Sequence, residues 1–173
     1  MGIPIRSLVV DNNENDVATS YYQTGVYKKK KTVVTLSTAM DIGAPNNFER
    51  VLELFHYDYN EFKKVITAMK VTDEETVETI KKVYAEQQYL MDFHTAVGFA
   101  AAEKTAKAGM KTIVISTASP LKFAKEMKET TGIVVDNSHM LKTLRRKKKR
   151  VITAANDYNA IKEMLLTEMG GKK

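Results

Sequence analysis

The chain has 173 residues, a hydrophobic fraction of 43%, a charged fraction of 28% and a formal net charge of +6. These values suit a globular domain that buries about 70% of its unfolded surface, and they argue against a disordered or membrane chain. The lack of cysteine excludes disulfides, thiolate nucleophiles and cysteine-based metal sites. No apolar run approaches the roughly 18 residues of a membrane span, and Arg6 interrupts a very short apolar start, so a cytoplasmic protein without leader or membrane contact is expected. Much of the positive charge sits in Lys28–Lys31 and in Arg145–Arg150. Such runs read first as solvated faces. No aromatic residue interleaves the second run to stack on bases, which argues against a nucleic-acid partner.

In chain order, Ile5–Val10 reads as a strand led in by Pro4. Asn12 and Asn13 follow as turn or cap residues. A helix is expected over Glu14–Gln23, with Val17 and Tyr21 on one face and Gly25 at its end. Thr32–Leu36 is a second β-branched stretch. The polar, small-residue loop Ser37–Asn47 leads into a helix through Val51, Leu52 and Phe55, with His56, Tyr57 and Tyr59 as partly buried packing groups. Phe62, Val65, Ile66 and Met69 recur at helical spacing and predict a helix over Glu61–Met69. Thr72 with Glu75 forms a capping box for a helix reaching about Gln87 through Val77, Ile80 and Tyr84.

Asp92–Gly98 reads as a loop before a small-residue helix at Ala100–Ala102, closed by Gly109. Asp92 and His94 are the pair that chemistry would notice, but no third metal ligand stands at a recognisable spacing. There is also no Gly-x-Ser-x-Gly elbow, so a satisfied loop histidine is the better reading and no metal site is assigned.

Thr112–Ile115 is a β-branched run that suits a buried strand. Ser119 then offers a cap, Pro120 the first helical position, and Phe123 with Met127 a buried stripe ended by Gly132. Ser116, Thr117 and Ala118 therefore lie between a strand's carboxyl end and a helix's amino end. In open α/β sheets ligands bind in that crevice. Ile133–Val135 and Val151–Thr153 are further strand candidates. Asn156 or Asp157 caps a last helix whose stripe is Tyr158, Ile161, Met164 and Leu165, and the chain should fray from Gly170 onward. The fold class is thus α/β, an open, mainly parallel sheet flanked by helices. Residues 1–36 and 111–166 form the sheet segments and 45–110 are mainly helical.

Four ordered motifs carry a resemblance. They are Met1-Gly2-Ile3-Pro4-Ile5 with Asn13–Val17, Ser37–Leu52, Asp92–Gly98, and Thr117-Ala118-Ser119-Pro120-Leu121-Lys122-Phe123. Together they resemble the carboxyl-terminal part of threonine synthase, a pyridoxal-phosphate (PLP) enzyme of the tryptophan-synthase-β fold group, from Met1 to about Leu166. Phe93 stands where that pattern has proline, and Asn137–Arg150 is more basic than the pattern.

The resemblance implies a single carboxyl-terminal portion of a larger catalytic domain. It implies PLP as cofactor and conversion of O-phospho-L-homoserine and water to L-threonine and phosphate. It makes Thr117 the cofactor-binding residue, its hydroxyl facing the pyridine nitrogen, with the Ser37–Asn47 and Asp92–Gly98 loops walling the cleft. The segment holding the Schiff-base lysine and the glycine-and-asparagine phosphate loop does not occur in this sequence, and Lys122 stands in the wrong motif to replace that lysine. No catalytic residue is therefore assigned in this chain, which reads as a truncated or split piece, inactive alone, whose partner is a missing amino-terminal half. Two other functions remain open at this point. One is a basic nucleic-acid-binding module using Arg145–Arg150, and the other is a non-catalytic scaffold that self-associates through exposed sheet edges.

Overall fold

Val9 and Val10 favour extended backbone, and they sit in β1 (Leu8–Asn12), two residues later at its end than the sequence pattern suggests. The computed structural model describes residues 4–170, so Met1, Gly2 and Ile3 of the first motif lie outside the described residues. Parallel to β1 runs β2 (Ile66–Lys70), with Leu8 opposite Ile66 and Asn12 opposite Lys70. The Val71 N–H continues the ladder by donating to the Asn12 carbonyl at 2.9 Å.

β2 corrects the helix expected over Glu61–Met69. A short helix, α3 (Tyr59–Val65), is started by Asp58, whose carboxylate accepts from the Asn60 and Glu61 N–H groups, and it stops at Val65. Beyond it the β-branched Ile66 and Thr67 pair with β1, burying Ile66 and Ala68 on alternate positions. The same apolar residues thus serve two periods, 3.6 up to Phe62 and 2 from Ile66.

Between the strands come α1 (Val17–Thr24) and α2 (Phe48–Leu54). Gly25 ends α1 in a left-handed conformation, φ 73°, its N–H returning to the Tyr21 carbonyl. His56 and Tyr57 turn the chain after α2 with positive φ, and both are exposed rather than partly buried. Tyr21, Phe48 and Phe62 form an aromatic core beside the sheet, with rings 5.5 Å and 5.1 Å from Tyr21 meeting it edge-on. That geometry matches positive ring edges to negative faces.

After β2, Thr72 caps α4 (Asp73–Gln87) in the expected reciprocal box with Glu75. Asp92 caps α5 (Phe93–Thr105). Phe93–Gly98 is therefore the beginning of a helix and not a loop, because the Asp92 carboxylate satisfies the free N–H of His94. Ser119 opens the 3-10 turn Pro120–Phe123, α6 (Ala124–Thr131) follows, and Gly132 ends it at φ 77°. Ile80, Val83, Met91, Phe93, Ala96 and Met127 close a second core.

Among the described residues the sheet has these two strands alone. The stretches 32–36, 112–115, 133–135 and 151–153 form no strand. For 32–36 the cause is visible: the backbone N–H groups of Val33, Thr35 and Leu36 donate to the Asn15, Asp41 and Asp73 side chains instead of to a ladder. The stretch 112–115 keeps a period of two without a strand partner, with Ile113 83% and Ile115 74% exposed on one side.

The chain divides into two compact units, residues 1–137 and 138–173. Every helix and strand given a range above lies in the first. The second contains α7 (Ser138–Arg146) and α8 (Tyr158–Gly170), the latter started by Asp157, which accepts from the Ala160 N–H at 2.9 Å. The expected buried stripe of α8 is largely exposed, Tyr158 at 76% and Leu165 at 51%, because so short a unit has too little chain to cover it.

Candidate functional site

Three of the four motifs meet around the amino end of α5. Asp92 is fully buried, and its carboxylate accepts three hydrogen bonds: from the His94 N–H at 2.9 Å, from His94 Nδ1 at 2.8 Å and from the Thr95 hydroxyl at 2.6 Å. On its other side the His94 ring accepts a hydrogen bond at Nε2 from the Ala39 N–H at 3.0 Å. A nitrogen that accepts carries no proton, so the imidazole is neutral with its hydrogen on Nδ1. His94 is thus a satisfied histidine, as the sequence suggests, but on a helix. No cluster of three metal-ligating side chains exists among the described residues.

The Thr117–Phe123 motif attaches through the residue just before it, Ser116, whose hydroxyl lies 2.9 Å from that of Thr95. One turn along α5, Gly98 gives room for Val114: a Cβ at Gly98 would stand 3.2 Å from Val114 Cγ1 and 3.8 Å from Asp11 Oδ1. Val114 and Ser116 therefore face α5, and Ile113, Ile115 and Thr117 alternate away from it. Thr117 is exposed, with no hydrogen bond to its hydroxyl among the described residues, two positions before the Ser119 cap.

The Ser37–Asn47 segment is held by a polar knot at the end of β1. Asn13 Nδ2 donates to Thr35 Oγ1 at 2.7 Å, Ser37 Oγ at 3.0 Å and Asp41 Oδ1 at 2.9 Å. Asn15 reaches the Val33 carbonyl at 2.8 Å and Asp41 at 3.2 Å, and Thr35 donates to Asp41 at 2.7 Å. Asn13, Asn15, Thr35 and Ser37 are all buried. Reading Asn13 as a turn residue missed this role. The available signal was two asparagines and a distant Thr-x-Ser beside a strand end, which marks polar groups that must satisfy one another. No buried polar side-chain atom lacks a partner among the described residues.

Two carboxyls near the site are pushed up from the ordinary range by loss of water. Asp11, facing Gly98, is raised by burial against the opposing effect of its own backbone N–H. Asp73 is raised by burial, partly offset by the Leu36 N–H it accepts from. Lys122, in the Pro120–Phe123 turn, is exposed.

Residues 95–165 match the family model for the carboxyl-terminal domain of threonine synthase. The threonine synthase of Buchnera aphidicola from Schizaphis graminum is 32% identical over 96% of this chain, and that of Saccharomyces cerevisiae 32% over 95%. Among solved structures, the PLP-bound threonine synthase from Brucella melitensis superposes with a TM-score of 0.77 at 26% identity over 95% of the chain. The yeast enzyme does so with a TM-score of 0.70 at 30% identity over 98%.

By sequence and fold, this chain matches the carboxyl-terminal part of the threonine synthases. It spans 38% and 43% of the length of the Buchnera and yeast relatives. Phe93, where the resemblance implies proline, takes the first position of α5, is fully buried and meets the Phe123 ring edge-on at 6.1 Å. Helical φ at that position equals the φ proline imposes, so either residue continues the backbone unchanged. The threonine synthase likeness also accounts for the open α/β layout, with a two-stranded parallel sheet as its described portion.

Proposed function

We propose that the 173 residues form one portion of a cytoplasmic, PLP-dependent threonine synthase, converting O-phospho-L-homoserine and water to L-threonine and phosphate, with the lysine that holds the cofactor supplied from outside this chain. One observation carries the reading: Thr117 presents an exposed hydroxyl, without a hydrogen-bond partner among the described residues, at the end of the extended segment before the Ser119-capped turn. A hydroxyl fits a pyridine nitrogen because it donates without requiring that nitrogen to hold a proton.

Bound there, PLP would act as an electron sink stabilising negative charge on the substrate carbons. The role of Thr117 is to donate to the ring nitrogen and so moderate that sink. Ser116 holds the preceding residue against α5, and the segment from Ser37 to Asn47, fixed by Asn13 and Asp41, walls one side of the cleft. The Asp92–Gly98 wall is the first turns of α5.

The test is reconstitution. The isolated chain, mixed with one equivalent of PLP, should show no saturable aldimine absorbance; a stoichiometric aldimine that borohydride fixes on one particular lysine of this chain would contradict the reading. Adding the amino-terminal portion of a related threonine synthase should bring phosphate release from phosphohomoserine, and Thr117→Val should lower that rate about tenfold or more, as for one lost functional hydrogen bond. An unchanged rate in the variant removes Thr117 from this role.

A further inference from the structure

The hydrogen bonds around Asp92 run in only one direction. A carboxylate cannot donate, so the Thr95 hydroxyl must give its proton to Asp92 Oδ2, which leaves Thr95 Oγ1 as acceptor and makes the Ser116 hydroxyl the donor across their 2.9 Å contact. On the other arm His94 Nδ1 donates to Asp92 Oδ1, so Nε2 can only accept, and it does so from the Ala39 N–H. Five groups thus form one chain from Ser116 through Thr95, Asp92 and His94 to Ala39. Its two ends lie in different segments, each about the candidate cleft: Ala39 in the turn Thr38–Met40, and Ser116 next to Thr117.

We infer that Asp92, His94 and Thr95 are positioning residues that clasp the 37–41 turn and the Thr117 segment to α5 as a single unit. The clasp itself stands on the geometry of these residues; its consequence for cofactor binding rests on the function proposed above. Three features make it a unit. Asp92 is 0% and His94 7% exposed, so water does not compete for these bonds. Asp92 caps α5, and the His94 N–H donates to its carboxylate at 2.9 Å, which holds that carboxylate in place at the helix start. The Phe123 ring lies 5.2 Å from that of His94, and Val114 packs at Gly98, so the segment is fixed on both sides of Thr117.

The deciding variant is Thr95→Val, similar in shape but unable to bridge Asp92 and Ser116; Thr95→Ser keeps the hydroxyl and serves as rescue. Nuclear magnetic resonance on the 173-residue chain reads three quantities without cofactor: the backbone order parameter of Thr117, hydrogen exchange at the Ala39 amide, and the His94 ring-nitrogen shifts. In the wild type the shifts should show the proton on Nδ1, and Thr117 should be rigid, near 0.85. Thr95→Val should lower Thr117 to the flexible range and speed Ala39 exchange about tenfold or more, and Thr95→Ser should leave both as in the wild type.

If Thr117 stays rigid in Thr95→Val, or loosens with no change at Ala39, the single clasp is overturned. A wild-type His94 proton on Nε2 overturns it as well. Should Thr95→Val not fold, Ser116→Ala cuts the same link from the exposed end and must give the same pair of changes. Because PLP is absent throughout, loss of the clasp leaves the cofactor reading intact, and failed reconstitution leaves the clasp intact.

Discussion

Asp11 shows how a single side chain near the site shapes stability. Its carboxyl is desolvated and has no ion pair among the described residues, so burial raises its pKa above 3.8. The folded state then holds a proton more tightly than the unfolded one, and its contribution to stability falls as pH rises from the ordinary carboxyl range through the raised value. Asp11→Asn should therefore gain stability relative to the wild type as pH rises above the ordinary carboxyl range in urea titrations; a difference that does not change with pH there would show that burial does not raise Asp11. Gly98 is the complementary case. The isopropyl group added by Gly98→Val would occupy the space of Val114 and should release residues 112–116, seen as lost resonance dispersion there with α5 intact. The Ser119 cap and Pro120 that follow Thr117 were legible in the sequence, whereas the strand expected before it was misread, since 112–115 forms none among the described residues. The hydrogen bonds that flank Thr117 were not legible either, because Thr95 and Ser116 are 21 positions apart and neither type announces its partner.

Element boundaries that depend on local chemistry could be read directly. Thr72 and Glu75 bond reciprocally as expected, with the Thr72 N–H to Glu75 at 3.0 Å and the Glu75 N–H to Thr72 at 3.2 Å. Thr72→Ala should cost about 1 kcal/mol in denaturant unfolding, and no loss would mean that tertiary packing alone sets the start of α4. Likewise Phe123 and Met127 were correctly paired by spacing. Met127 is fully buried in the second core, so Met127→Ala should cost about 2–5 kcal/mol. Elements that depend on distant pairing were less legible. Ile66 and Met69 satisfy a helical spacing as well as a strand, and only the presence of β1, more than fifty residues earlier, decides between them. At 32–36 the β-branched run suggested a strand, but Asn15, Asp41 and Asp73 offer side-chain acceptors that capture its N–H groups first.

Over the whole molecule, apolar side chains remain in water where a larger sheet would cover them. Val34 is 86% exposed, Ile113 83%, Ile115 74% and Val134 73%. Extended backbone carrying such residues favours association with other chains. Light scattering should accordingly show a mass that grows with concentration, and mixing with the amino-terminal portion of a related threonine synthase should suppress that growth; a concentration-independent monomer would contradict this. The central claim, that the Thr117 hydroxyl donates to the cofactor's ring nitrogen, has a more direct measurement in the reconstituted protein loaded with PLP labelled with nitrogen-15 in the ring. The account predicts a ring-nitrogen resonance in the range of a neutral, hydrogen-bonded pyridine that moves to that of a free pyridine in Thr117→Val. A protonated nitrogen, or a resonance that the substitution leaves in place, would contradict it.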